Sequence, residues 1–76
     1  MGLEILTLQI KISAKHEDGT DTIFVRRMDS EFLFRALEQQ GISAVRHDTI
    51  GDDYIPFWFD SPDQADNIFR MWSADY

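Results

Sequence analysis

The chain has 76 residues, with 14 acidic against 7 basic side chains and a formal net charge of −7. This length predicts one small domain, spanning residues 1–76, and a hydrophobic content of 43% is sufficient for a packed core. The absence of cysteine excludes a disulfide scaffold, a thiolate metal site and a cysteine nucleophile. Because there is neither a basic leader nor a membrane-length apolar run, the sequence predicts a cytoplasmic protein.

A β-hairpin is predicted first. Apolar and polar residues alternate over 6–15, which is the period of a half-buried strand, and Gly19 lies in a polar turn over 16–21. A second strand follows over 22–28. Its alternation separates two pairs of residues onto opposite faces: Ile23 and Val25 against Phe24 and Arg26.

The next segment has helical spacing. Asp29 or Ser30 is predicted to cap the start of the helix, and Gly41 is predicted to end it in a left-handed conformation. The residues expected on or beside the buried face are Phe32, Leu33, Ala36 and Leu37.

A second hairpin is predicted from strands over 42–48 and 54–59, joined by a turn over 49–53. Pro56 has no N–H to donate, so the fourth strand is expected at an edge of the sheet or interrupted there. Its alternation directs Ile55, Phe57 and Phe59 to one face, and Tyr54 and Trp58 to the other face with Phe24.

The last helix has the clearest start signal. Ser61 is a predicted N-cap, Pro62 occupies the first turn and Gln64 completes a capping-box pattern. The apolar stripe consists of Ala65, Ile68, Phe69 and Trp72. The resulting order, β-β-α-β-β-α, predicts an α+β fold in which a four-stranded antiparallel sheet carries both helices on one face.

Few residues suggest chemistry. His16 adjoins a turn and is expected to be solvated, whereas His47 lies near Asp48, Asp52 and Asp53, a grouping without a recognised metal-ligand spacing. The sequence therefore predicts no catalytic residue, no metal and no cofactor, and we do not expect an enzyme.

The negative charge is unevenly distributed. Residues 1–47 carry a net charge of −1. Residues 48–76 carry −6, because they contain seven aspartates and only one basic residue, Arg70. Such a segment repels duplex nucleic acid and suits a basic protein surface, although acidity also keeps a small protein soluble. We expect a contiguous acidic edge that contacts a partner through Asp52, Asp53, Asp60, Asp63 and Asp66.

Aromatic residues are numerous, at 13% of the chain. If some of them are exposed, they would anchor an interface. The predicted anchors are Phe34, Tyr54, Trp58 and Met71. Basic residues expected on the same open sheet face are Lys11, Arg26 and Arg46.

These features predict a non-enzymatic protein-binding module, an inhibitor that docks on a basic nucleic-acid-binding surface. In size, charge and compactness alone, the chain resembles the small acidic proteins of phages and mobile elements, among them anti-CRISPR proteins and DNA mimics. Neither duplex nucleic acid nor a membrane is expected as a partner. Two alternatives remain: a regulatory subunit that forms a homodimer through the open sheet face, and a single-strand nucleic-acid binder that uses Phe24, Arg26, Tyr54 and Trp58.

Overall fold

The computed structural model describes residues 11–47, 49 and 51–73. The elements follow the predicted order, β-β-α-β-β-α, and form an α+β fold. Their bounds are β1 Ala14–His16, β2 Thr22–Arg26, α1 Arg27–Gln39, β3 Val45–Arg46, β4 Tyr54–Trp58 and α2 Pro62–Trp72. All strand pairs are antiparallel, in the spatial order β1-β2-β4-β3.

The fold has one hydrophobic core, between one sheet face and the two helices. In the register of β2 with β4, Ile23 lies opposite Phe57 and Val25 lies opposite Ile55, and all four side chains are buried. Leu33 and Leu37 of α1, with Ala65 and Ile68 of α2, complete this core together with Ile12 and Phe59. The predicted alternation of β2 and β4 is confirmed.

Pro56 lies in an interior strand of the sheet, so the edge alternative of the prediction is wrong, whereas the predicted interruption is found on the side of β4 that faces β3. The carbonyl oxygen of Pro56 accepts from His47 N (3.0 Å), which means that the missing N–H also faces β3 and not β2. The pairing of β4 with β2 is therefore unaffected. On the other side Pro56 offers no N–H to β3, so the ladder ends there. Residues 42–44 do not pair with β4 either, and β3 has two residues instead of the predicted seven.

Helix α1 begins at Arg27, two to three residues before the predicted caps. Asp29 is inside the first turn, where its carboxylate accepts from Ser13 N (2.9 Å) and so joins the helix to the strand side of the molecule. Ser30 is buried and its hydroxyl donates to the Arg27 carbonyl (3.1 Å). Asp29, one of the two residues predicted to cap the helix, therefore forms a hydrogen bond with Ser13 instead.

Helix α2 has the predicted start. The Ser61 hydroxyl accepts from Gln64 N (3.1 Å), and the Gln64 side chain accepts in return from Asp60 N (3.2 Å). At the other end of α2, Ile12 N donates to the carbonyl of Trp72 (2.9 Å). The chain before β1 is therefore bonded to the last turn of α2.

Two predicted turns contain glycine with positive φ, Gly19 at 84° and Gly51 at 88°, and Gly41 follows α1 with φ 73°. The first strand was predicted over 6–15. Its residues up to 10 lie outside the described part of the chain, and the described strand is β1.

Candidate interaction surfaces

The sheet face opposite the helices is not covered by any described element. We call it the open face. Its strand residues, with the adjoining His47, are Lys15, Thr22, Phe24, Arg26, Val45, His47, Tyr54, Pro56 and Trp58.

Aromatic rings occupy the middle of the open face. Phe24 is 45% exposed and lies opposite Pro56, and Trp58 is 43% exposed and lies two residues further along β4. The His47 ring lies 5.5 Å from the Trp58 ring, and Tyr54 is half-buried. The prediction that Tyr54, Trp58 and Phe24 share the uncovered face is confirmed.

Two cations project from the same face. The Lys15 ammonium lies 4.2 Å from the centre of the Tyr54 ring, which is cation–π geometry, and the exposed Arg26 lies opposite Tyr54 in the register. Lys11, also predicted here, is elsewhere, because its ammonium donates to the carbonyl of Met71 at the end of α2 (3.0 Å).

Arg46 was also predicted on the open face, and that prediction is wrong. It pairs with Phe57, whose side chain is in the core, so Arg46 points to the helix side. There its guanidinium covers the Phe34 ring at 4.6 Å and donates to Glu31 (3.2 Å). The pKa of Glu31 lies below its ordinary value, because Arg46 and Arg35 both donate hydrogen bonds to this carboxylate.

The four predicted apolar anchors lie on three different surfaces. Tyr54 and Trp58 belong to the open face, and Met71 is exposed near the end of α2. Phe34 is not an exposed anchor: it packs edge-to-face on Phe57 at 6.4 Å between ring centres and lies against the core.

Acidic residues from both halves of the sequence meet at one end of the sheet. The carbonyl of Asp21 accepts from Phe59 N (2.9 Å), so the β1–β2 turn adjoins the link from β4 to α2. We call this region the acidic end and define it by Glu17, Asp18, Asp21, Asp60, Asp63 and Asp66. All but Asp66 are exposed. The contribution of the first half of the chain to this surface was not foreseen from the sequence.

Asp66 is the member of the acidic end that forms an ion pair within the described part of the chain. Its carboxylate accepts from the Arg70 guanidinium one helical turn later. That hydrogen bond lowers the pKa of Asp66 and raises the pKa of Arg70. Arg70 is exposed and Asp66 is partly exposed, so solvent screens the pair and we expect it to stabilise the fold only slightly.

Asp52 and Asp53 are not part of the acidic end. They lie in the β3–β4 turn, where their carbonyl groups accept from Arg27 Nε (2.8 Å) and Arg27 N (2.7 Å) respectively. The seven residue steps from Asp53 to Asp60 along extended β4 correspond to roughly 20 Å. The five aspartates expected on one edge are therefore divided between the two ends of the sheet.

The two histidines are held by neighbouring groups. The His16 Nε2 group donates to the Thr20 carbonyl (3.0 Å) and its ring lies 5.3 Å from Phe69. His16 is therefore half-buried, whereas the sequence predicted a solvated side chain.

Within residues 11–47, 49 and 51–73, no group of three or more His, Cys, Asp or Glu side chains could hold a metal ion. Neither described helix is long and apolar enough to cross a membrane.

Comparison of the chain with protein-family models, curated proteins and solved structures found no match.

Proposed function

We propose that this protein is a non-enzymatic binding module whose acidic end docks on the basic, nucleic-acid-binding surface of another protein. The observation that supports the proposal best is the convergence of Glu17, Asp18 and Asp21 with Asp60 and Asp63 at one end of the sheet. Short carboxylate side chains on turns and on a helix N-terminus are held close to the backbone. Such a fixed array of negative charge resembles the phosphates that a basic groove binds.

The structure of α2 supports the proposal that Asp60 and Asp63 contact a partner. Asp60 precedes the helix and Asp63 lies in its first turn, where the positive end of the helix dipole stabilises carboxylates. The Ser61 cap and the Gln64 contact fix the same turn, so the carboxylates lie on a rigid element. A rigid charged surface loses little conformational entropy when it binds.

Trp58 supplies an apolar neighbour for this surface. It pairs with Thr22, directly beside the contact between Asp21 and Phe59, and is 43% exposed. Large aromatic residues close to complementary charges are typical of the centres of protein interfaces. A partner that binds the acidic end would therefore also cover Trp58.

The test compares two variants that remove charge from opposite ends of the sheet, three charges from the acidic end and two from the other end. Asp21→Asn/Asp60→Asn/Asp63→Asn removes three charges from the acidic end, and Asp52→Asn/Asp53→Asn removes charge from the other end of the sheet. Immobilised wild-type protein should retain basic nucleic-acid-binding proteins from a cell lysate, and added duplex DNA should release them. Three lost contacts of about 0.5 kcal/mol each weaken binding about tenfold in the first variant.

The control variant should retain the same proteins as wild type. Equal retention by both variants, or retention that duplex DNA does not reduce, would contradict the proposal. The retained protein, once identified, is then titrated with both variants at two salt concentrations. Its affinity for the acidic-end variant should depend less on salt, because fewer charges meet in that complex.

A further inference from the structure

The open face is positively charged on a protein whose net charge is −7. Among its described residues the fully charged side chains are Lys15 and Arg26, and no carboxylate stands beside them on the strands. Neither cation forms an ion pair with a carboxylate in the described part of the chain. Charge is thus segregated, and this face is complementary to an anionic ligand.

The spacing between the Phe24 and Trp58 rings suits two planar groups of a ligand. Phe24 and Trp58 lie on adjacent strands at diagonal positions, roughly 7–8 Å apart, with the ring of Pro56 between them in the register. The two aromatic side chains, with Pro56 and Thr22, line a mostly apolar depression whose charged neighbours are Lys15 and, from the acidic end, Glu17. Two unstacked bases of a single strand could each lie on one of these rings, because every base has a π-face.

The cations are placed to contact a backbone beside those bases. Lys15 is exposed, and its ammonium lies over the Tyr54 ring. Arg26 lies on the neighbouring strand, opposite Tyr54. Both positive charges are therefore on the Tyr54 side of Phe24, so bases on Phe24 and Trp58 would direct their phosphates towards one side of the sheet.

We propose that the open face binds a short segment of single-stranded nucleic acid. The bases stack on Phe24 and Trp58, and Lys15 and Arg26 contact the phosphates. Duplex is a poor ligand, because its bases are already stacked and the acidic end repels its second strand. The site shares Trp58 with the surface that a protein partner would cover, but it can be tested on the isolated chain and so does not depend on the proposed function.

A second copy of this chain fits the open face less well. A symmetric dimer presents the same surface twice, and it would place two copies of Lys15 and of Arg26 in one interface without a carboxylate between them. An acidic peptide would neutralise the charges, but its charged side chains have no aromatic rings to stack on the two exposed rings, whereas every base of a single strand has one. Single-stranded nucleic acid satisfies both requirements.

The experiment uses the full chain and a fluorescently labelled oligothymidylate of about 12 nucleotides. Fluorescence anisotropy should show saturable binding at about 20 mM salt and about 25-fold weaker binding at about 200 mM, the dependence expected for two phosphate contacts. Phe24→Ala and Trp58→Ala should each weaken binding about 5- to 100-fold, the loss expected for one stacked base. Lys15→Gln/Arg26→Gln should weaken binding at low salt and flatten its salt dependence.

Met71→Ala is the matched control, because it removes an exposed apolar side chain from α2 and should leave binding unchanged. Far-UV circular dichroism establishes that each variant is folded. The proposal is overturned by the absence of binding at low salt, by unchanged binding in both aromatic variants, or by tighter binding of a duplex. It is also overturned if oligoglutamate of equal charge displaces the oligonucleotide, or if sedimentation shows a dimer that Phe24→Ala dissociates.

Discussion

Phe57 and Trp58 are consecutive residues of β4 that point to opposite faces of the sheet. Alanine substitution at each position compares how much stability a side chain contributes on the core face and on the open face. Phe57 is completely buried and packs on Phe34, so Phe57→Ala leaves a cavity and should cost about 3–5 kcal/mol. Trp58 remains 43% exposed, so its removal should cost about 1.5 kcal/mol or less. A chain of 76 residues has about 4–11 kcal/mol of total stability, so Phe57→Ala removes about a quarter of it or more.

The assay is urea unfolding followed by far-UV circular dichroism, a signal that does not depend on the tryptophan being replaced. Measurements over a 100-fold range of protein concentration (roughly micromolar to 0.1 mM) should give the same midpoint for wild type, because a monomer unfolds independently of concentration. If Trp58→Ala costs as much as Phe57→Ala, or if the midpoint rises with concentration, the open face is covered by another chain. The assignment of that face as a free surface would then be wrong.

Three further predictions concern local features of the fold. Ser61→Ala removes the hydrogen bond to Gln64 N and should cost about 1 kcal/mol in urea unfolding, whereas Ser61→Asp should retain most of the stability. Gly41→Ala places a side chain at φ 73° with no atom within 4 Å of its Cβ, so backbone strain alone should lower thermal stability by about 1–2 kcal/mol. Glu31 has a lowered pKa in the fold, so it adds stability above its unfolded pKa and loses that contribution as the pH falls through its folded value. Glu31→Gln should therefore reduce the loss of stability on acidification, and carboxyl titration by NMR should show the Glu31 midpoint rising when Arg46 is replaced by Gln.

Features determined by neighbouring residues were predictable from the sequence. The alternation of β2, the left-handed glycine after α1 and the Ser61–Gln64 cap each depend on a few consecutive residues, and the structure contains all three. The fold class follows from the same local signals. The start of α1 was mispredicted because Asp29 bonds to Ser13, a residue 16 positions away that local capping rules do not consider.

The surfaces were harder to predict, because they depend on which strands are neighbours. The order β1-β2-β4-β3 brings Asp21 beside Phe59 and so joins acidic residues that a division of the sequence at residue 48 had separated. Arg46 was placed on the wrong face, since its orientation follows from pairing with Phe57 in a strand of only two residues. The segment of the sequence that carries most of the negative charge therefore does not correspond to the acidic surface of the folded protein, which contains residues from both halves of the chain.

Pro56 also affects how this protein behaves at high concentration. Outer strands with free backbone groups are templates on which other chains add strands and aggregate. Pro56 ends the ladder of one outer strand, which has two residues, and the opposite outer strand has three residues in the described part of the chain. The sheet can therefore leave an aromatic face uncovered with little risk of growing into a fibril, and replacing Pro56 by a residue with an N–H would lengthen one of those templates.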